Sequence, residues 1–341
     1  MMNTDLLVRQ NILDLKPYAG AAAENKGRKG ILLDANENPY GALNRYPDLH
    51  QYELRKKLSE LNGLSPNNIM IGNGSDELID MAFRIFCRPG KDKVIICPPT
   101  FGMYEVYAQI NDAEIISIPL ESDFQPDSQK ILETDEEAKI LFLCSPNNPT
   151  GNSFEDLEYL IQNFPGIVFL DEAYIDFSRQ ASLLSKINDY PNLIVSQTFS
   201  KARAMAAARI GVIYADEKII SYFQKVRAPF NISRLNTEAA LKTLEDKTDF
   251  KETIDKVLQE RKRIENFLAQ LPYVKKIYPS DANFILAEFE SADFIHSELA
   301  KAGIMVRNRS GQVDNCLRIS AGTPDENDAL MNALENLKNK I

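Results

Sequence analysis

Short, nearly continuous apolar runs recur between residues 68 and 215. They are Asn68–Ile71, Lys93–Cys97, Glu114–Pro119, Lys139–Cys144, Gly166–Leu170, Asn192–Gln197 and Ile210–Tyr214. Runs of this length without alternation suit strands buried on both faces. Helical patterns fall between them. Ser75–Phe86 is one, and Phe154–Phe164 is another, with Ser153 and then Asp156 as a capping signal. Strand–helix alternation predicts an α/β layer fold with a mostly parallel sheet.

The C-terminal part has a different rhythm. Ile254, Val257, Leu258, Ile264, Phe267, Leu268 and Leu271 form the stripe of one long amphipathic helix over Lys251–Leu271. A strand (Phe284–Glu288), a helix (Ala292–Ala302) and a strand near Cys316–Ser320 follow. Thr323-Pro324-Asp325-Glu326 then opens a last helix with a capping box and proline at its first position. This pattern predicts a smaller α+β domain hinged near Ala228–Arg234. The expected division is an N-terminal arm (1–30) packing with the small domain, a large domain (31–230) and a small domain (231–341).

A chain of 341 residues fits two such domains. With 44% apolar and 26% charged residues, it has the balance of a globular protein. No apolar run approaches the roughly 18 residues that span a bilayer, and Met1–Lys16 lacks a secretory pattern, so a cytoplasmic protein is expected. The net charge of -10 argues against a nucleic-acid partner, although a few local arginines can still bind a small anion. Cys87, Cys97, Cys144 and Cys316 are scattered without a CxxC pair and are expected to be buried thiols. His50 and His296 stand alone, so neither a histidine metal site nor a Ser-His-Asp triad is expected.

Ligands of open α/β sheets sit beyond the carboxyl ends of the strands. Four polar constellations fall there. Gly72-Asn73-Gly74-Ser75-Asp76-Glu77 opens a helix and is either an ordinary turn or a phosphate cradle of backbone N–H groups. Its spacing is not the GxGxxG of a dinucleotide fold, which disfavours an NAD dehydrogenase. Ser145-Pro146-Asn147-Asn148-Pro149-Thr150-Gly151 is a turn fixed by two prolines. Asp171-Glu172-Ala173-Tyr174 ends an apolar strand, where a carboxylate is either capped or paired with a cation. Thr198-Phe199-Ser200-Lys201 ends the next strand, with Arg209 eight residues on. Each has a bland reading alone, but all four meet one sheet edge. Pyridoxal 5'-phosphate accounts for the set: it needs a lysine amine, an acid at its ring nitrogen, a phosphate cradle, donors to its phenolic oxygen and an aromatic over its face.

The motifs SPNNPTG (Ser145–Gly151), DEAY (Asp171–Tyr174) and SKA (Ser200–Ala202) followed by Arg209 resemble those of the fold-type I pyridoxal-phosphate aminotransferases. The resemblance runs over nearly the whole chain. LDANENP (Leu33–Pro39), NRYPD (Asn44–Asp48), CPPTFGMY (Cys97–Tyr104), Ser280–Phe284 and CLRIS (Cys316–Ser320) are similar to pieces of the histidinol-phosphate aminotransferase family. The resemblance implies a large domain with a mostly parallel seven-stranded sheet and a smaller α+β domain. It implies transfer of the amino group of L-histidinol phosphate to 2-oxoglutarate, giving imidazole-acetol phosphate and L-glutamate, in histidine biosynthesis. The alternatives are an aromatic amino acid aminotransferase or a phosphothreonine decarboxylase.

Carried over residue by residue, the resemblance makes Lys201 the lysine that joins the cofactor and moves the proton. Asp171 pairs with the ring nitrogen, and Asn148 and Tyr174 hydrogen-bond the phenolic oxygen. Arg209, Gly74, Ser75, Asp76, Thr198 and Ser200 form the phosphate cradle, and Phe101 stacks on the ring. Tyr46 reaches the phosphate from a neighbouring subunit, which implies a homodimer with shared active sites. Arg318 binds the substrate carboxylate or phosphate, Arg307 is a second anion contact, and Tyr18 and Asn36 are substrate-side residues. Ala206-Ala207-Ala208 precede Arg209 where the family commonly has a glycine, and the added methyl is expected to tighten packing. Arg203 receives no role.

Overall fold

The computed structural model describes residues 3–16, 30, 31, 33–134, 137–338 and 340, the side chains of 247–249 excepted. Seven strands form the larger sheet: β1 (Ile69–Asn73), β2 (Lys93–Ile96), β3 (Glu114–Ser117), β4 (Ala138–Cys144), β5 (Ile167–Asp171), β6 (Leu193–Thr198) and β7 (Ile210–Ala215). Their order is β1-β7-β6-β5-β4-β2-β3. From β6 to β3 the neighbours run parallel, and β7 runs antiparallel to both β6 and β1. These are the seven apolar runs of the sequence.

The runs are continuous because both faces of the sheet are covered. Leu141, Leu143, Val168 and Leu170 pack on one face with Phe154 and Phe164. Ile140, Phe142, Ile167 and Phe169 pack on the other with Phe83 and Phe86. There Phe142 stacks on Phe83 at 5.0 Å and tilts against Phe169 at 5.4 Å between ring centroids. β3 lies at the edge and is partly exposed.

A second, antiparallel sheet has the order β10 (Arg307–Asn308), β11 (Cys316–Ser320), β9 (Phe284–Phe289), β8 (Val274–Ile277). Helices Lys247–Leu268, Ala292–Lys301 and Pro324–Glu335 accompany it. Its separate core includes Ile264, Leu268, Ile285, Ala287, Ile295, Leu317, Ile319, Leu330 and Leu334. The last helix opens as its sequence predicts: Thr323 accepts from Glu326 N–H while the Glu326 carboxylate accepts from Thr323 N–H.

Two local expectations are corrected. The helix expected from Phe154 begins at Leu157, and Asp156 caps it in a left-handed conformation without a side-chain bond. Phe154 is instead buried in the core, with its N–H on Ser145 Oγ, and Ser153 Oγ pairs with Ser178 Oγ, so the segment before Leu157 is held out of the helix. The described part of the N-terminal arm, 3–16, packs on the larger sheet's helices rather than with the smaller sheet. Val8 and Ile12 join the core beside Ile85 and Phe223, Arg9 N–H bonds Ile85 O, and Lys225 Nζ reaches the carbonyls of Ile12 and Leu13. The segment 228–233, where a hinge is expected, is non-helical, and a helix over Arg234–Glu245, capped by Ser233, follows it. Ile232, Ala240 and Leu244 belong to the core beneath the larger sheet, so this segment packs there.

Candidate active site

The carboxyl ends of β4, β5 and β6, the start of β7 and the helix after β1 converge on a cavity of about 330 Å³. Ser75, Asp76, Phe101, Asn148, Asp171, Tyr174, Thr198, Ser200, Lys201, Arg209, Arg307 and Arg318 all line it. The sheet order explains the convergence, because Cys144, Asp171 and Ser196 lie side by side in register and the next residues of each chain turn into the site.

Asp171 and Glu172 are adjacent carboxylates with opposite fates. Glu172 lies under the neighbouring loop, accepting from Ser182 Oγ at 2.5 Å, Leu183 N–H at 2.9 Å and Gln197 Nε2 at 3.0 Å. Asp171 lines the cavity, 3% exposed, with Tyr104 O–H donating to its Oδ2 at 2.8 Å and Ala173 N–H to its Oδ1 at 3.1 Å. Burial pushes its pKa up to about 6, against those two hydrogen bonds. A carboxylate this dry gains most from a cationic partner, such as a protonated ring nitrogen.

Lys201 Nζ lies 5.5 Å from the centre of the Tyr174 ring. Its side chain opens to solvent through the cavity, yet the surrounding walls desolvate the amine. That desolvation lowers its pKa, and the positive charge of Arg318 lowers it further. A lowered pKa enlarges the neutral, nucleophilic fraction. Tyr174 is buried and edge-on to Phe284 at 5.2 Å, and burial raises its phenol's pKa. Asn148 is buried and its Oδ1 accepts from Arg318 Nη1, tying the proline turn to the smaller sheet. Its neighbour Asn147 braces that turn, with Nδ2 on Pro99 O and Thr150 Oγ1, both at 2.8 Å.

The helix Gly74–Phe86 points its N-terminus at the cavity, and Asn73 makes no side-chain cap bond there. Its first N–H groups therefore lack intrahelical partners and suit an anion. Arg209, in a left-handed conformation at φ +53, brings its Nη2 to 3.1 Å from Asp76 Oδ2 and its Nη1 to 3.5 Å from Ser200 Oγ. Gly74 does not line the cavity. It stands behind Arg209, where a Cβ would come within 2.5 Å of Nη2. A Cβ on Gly211 would lie 2.3 Å from Gly74 C and Ser75 N. Two glycines thus let helix, strand and guanidinium close into a phosphate-sized cradle. With the dry Asp171 and the desolvated Lys201, the set fits pyridoxal phosphate.

Tyr46 and Asn36 are not brought to this cavity. They line a second one of about 360 Å³ with Glu37, Arg45, Ser233 and Arg234, where Tyr46 stacks on Phe230 at 4.5 Å and remains 57% exposed. Tyr18 falls outside the described residues. Arg203 lies elsewhere too, 3.7 Å over the Phe250 ring. Ala206 and Ala207 are exposed in a short 3-10 turn, so their methyl groups do not tighten packing.

Two further residues belong to the site. Tyr104, fully buried, holds Asp171 from behind, although CPPTFGMY gives no sign of which ring faces the acid. Arg309 lines the cavity wall beside Arg307 and Arg318, and its spacing two residues after Arg307 places it on the same strand face. All four cysteines are buried and unpaired. Among the described residues, no His/Cys/Asp/Glu cluster could hold a metal, and no helix is long and apolar enough to cross a membrane.

The family model for aminotransferase class I and II matches residues 17–334. A histidinol-phosphate aminotransferase from Flavobacterium psychrophilum is 48% identical, covering 98% of this chain and 99% of its own. One from Christiangramia forsetii is 46% identical, covering 99% of each. The crystal structure of histidinol-phosphate aminotransferase from Sinorhizobium meliloti, in complex with pyridoxal-5'-phosphate, superposes with a TM-score of 0.81 at 26% identity, over 97% of this chain and 98% of that one. With a cradle, acid and lysine that fit the cofactor, the chain belongs to the histidinol-phosphate aminotransferase family and is a pyridoxal-phosphate-dependent aminotransferase.

Proposed function

We propose that the enzyme transfers the amino group of L-histidinol phosphate to 2-oxoglutarate, giving imidazole-acetol phosphate and L-glutamate, a cytoplasmic step of histidine biosynthesis. The observation that carries the substrate reading is the arginine wall of the cavity, where Arg307, Arg309 and Arg318 line the same space as Lys201. Such a wall suits a phosphate in one half-reaction and carboxylates in the other.

Bound pyridoxal phosphate supplies an aldehyde carbon that takes up the amino nitrogen and a ring that absorbs an electron pair. The protein residues divide the remaining work. Arg209, the N–H groups of Ser75 and Asp76, and the hydroxyls of Thr198 and Ser200 hold the phosphate. Asp171 keeps the ring nitrogen protonated, and Tyr104 positions that carboxylate. Asn148 and Tyr174 donate to the phenolic oxygen, while Phe101 covers the ring. Lys201 Nζ would hold the cofactor at rest and, as a free amine, would take up and carry the proton from the donor's Cα. Its depressed pKa suits a general base working near neutrality. Tyr46, exposed in its own chain, reaches the active site of a second subunit in a homodimer. The smaller sheet with its helices acts as a separate domain carrying the arginines.

An amino-balance assay tests this reading. L-Histidinol phosphate and 2-oxoglutarate should be consumed one for one with formation of L-glutamate. Release of CO2 from phosphothreonine without glutamate formation would make the protein a decarboxylase instead.

A further inference from the structure

We propose that Arg309 is a specificity residue that recognises the substrate's phosphate group, completing a three-guanidinium clamp with Arg307 and Arg318. The proposal rests on the reading of L-histidinol phosphate as amino donor and assigns one residue to its phosphate.

Arg307 pairs directly with Arg318 across β10 and β11. Arg309 follows two residues later, its N–H bonding Cys316 O at 2.8 Å, so the hairpin continues through it. Strand alternation sends 307 and 309 to one face, and register places 318 on that face as well. Three like charges at opposed and alternate positions destabilise a sheet. All three line the cavity that holds Lys201. Among the described residues no carboxylate pairs with any of them, and the buried Nε atoms of Arg309 and Arg318 have no hydrogen-bond partner. The cavity's own carboxylates are engaged elsewhere, Asp76 with Arg209 and Asp171 with Tyr104. The clustered cations therefore face an anion that is not part of the chain.

The number of guanidinium groups selects the kind of anion. A carboxylate offers two oxygens and one charge, which a single forked guanidinium can satisfy. Arg318, already anchored on Asn148, is placed for that task. A phosphate monoester offers three terminal oxygens and a charge near -2, and so rewards further donors. Arg309 is also held in place by its backbone. Its carbonyl accepts from Gln312 N–H at 2.8 Å and Val313 N–H at 2.9 Å, and Asn308 beside it is fixed by Asp293 at 2.6 Å. A donor on so short and bonded a hairpin is organised before the ligand arrives.

The test compares wild type, Arg309→Gln and Arg309→Lys as cofactor-loaded proteins. kcat/KM is measured with L-histidinol phosphate, L-histidinol and L-glutamate, and binding of inorganic phosphate is followed by calorimetry. The loss of one charged hydrogen-bonding group predicts a fall of roughly ten- to hundred-fold for L-histidinol phosphate in Arg309→Gln. This fall should exceed the losses for L-histidinol and L-glutamate by about tenfold or more, and phosphate binding should weaken in parallel. Arg309→Lys, which keeps the charge but not the fork, should fall between and covers the case in which glutamine disturbs the hairpin. Equal losses for all three donors, or unchanged phosphate binding, would overturn the assignment. Should wild type fail to prefer L-histidinol phosphate over L-histidinol, the substrate reading fails, while the inorganic-phosphate arm still decides the role of Arg309.

Discussion

Replacing Asp171 by asparagine separates the cost of a buried carboxylate from its use. Asp171 is 3% exposed and its pKa stands at about 6, against 3.8 for the free side chain, because burial outweighs the hydrogen bonds from Tyr104 and Ala173. A folded-state pKa above the unfolded one means that the unfolded chain gives up its proton first as pH rises. Stability of the cofactor-free protein therefore falls between about pH 4 and pH 6 and stays low above that window. Each pKa unit corresponds to about 1.4 kcal/mol, so the carboxylate costs about 3 kcal/mol at pH 7.5 and about half of that at pH 5. An asparagine side chain in its place is nearly isosteric and uncharged. Cofactor-free Asp171→Asn should thus melt several degrees higher than wild type at pH 7.5, with the gap narrowing as pH falls to 5. The loaded proteins should behave oppositely, because only the carboxylate gains from a ring cation, and the variant should lose most of its activity. Thermal melts of both forms at the two pH values provide the assay. A cofactor-free variant less stable than wild type at pH 7.5, or a gap that does not change with pH, would refute the reasoning.

Other outcomes follow from the same geometry. Lys201→Ala should lose the visible cofactor band and slow transfer by roughly 10²–10⁴ or more, read by absorbance and single-turnover assay. Tyr104→Phe removes a donor from the Asp171 carboxylate and should raise that acid's pKa by roughly one to two units, moving the pH dependence of cofactor binding upward by the same amount. Gly211→Ala would drive a methyl group against Gly74 and Ser75 and should cost about 1–3 kcal/mol in stability while weakening cofactor affinity, measured by melting and equilibrium dialysis. Arg318→Gln removes a donor that also anchors Asn148 and should raise KM for both L-histidinol phosphate and 2-oxoglutarate.

Much of the architecture was legible because the physics is local. β4 and β5 are buried on both faces, so their runs are uninterrupted, and the Thr323 capping box needs only neighbouring residues. The helix Arg234–Glu245 was not legible. Ala240 and Leu244 are its buried residues, whereas Leu235 is 55% exposed, which leaves no strong apolar stripe. β8 carries Lys275 and Lys276 at a sheet edge and shows no apolar run. Around the site, Lys201, Asp171, Asn148, Tyr174 and Arg209 could be assembled from strand ends, and all five line one cavity. Tyr104 was hidden because its bond to Asp171 spans 67 residues of chain. Arg309 stands outside every motif singled out in the sequence, although its spacing from Arg307 places it on the same face.

Amino transfer from L-histidinol phosphate at Lys201, Asp171 and the arginine wall can be watched in one reaction. The most direct test mixes cofactor-loaded protein with that compound in a stopped-flow spectrometer, with L-phenylalanine in a parallel run. Rapid loss of the visible band is expected, much faster with L-histidinol phosphate than with phenylalanine. Faster conversion by phenylalanine, or no conversion by L-histidinol phosphate, would contradict it.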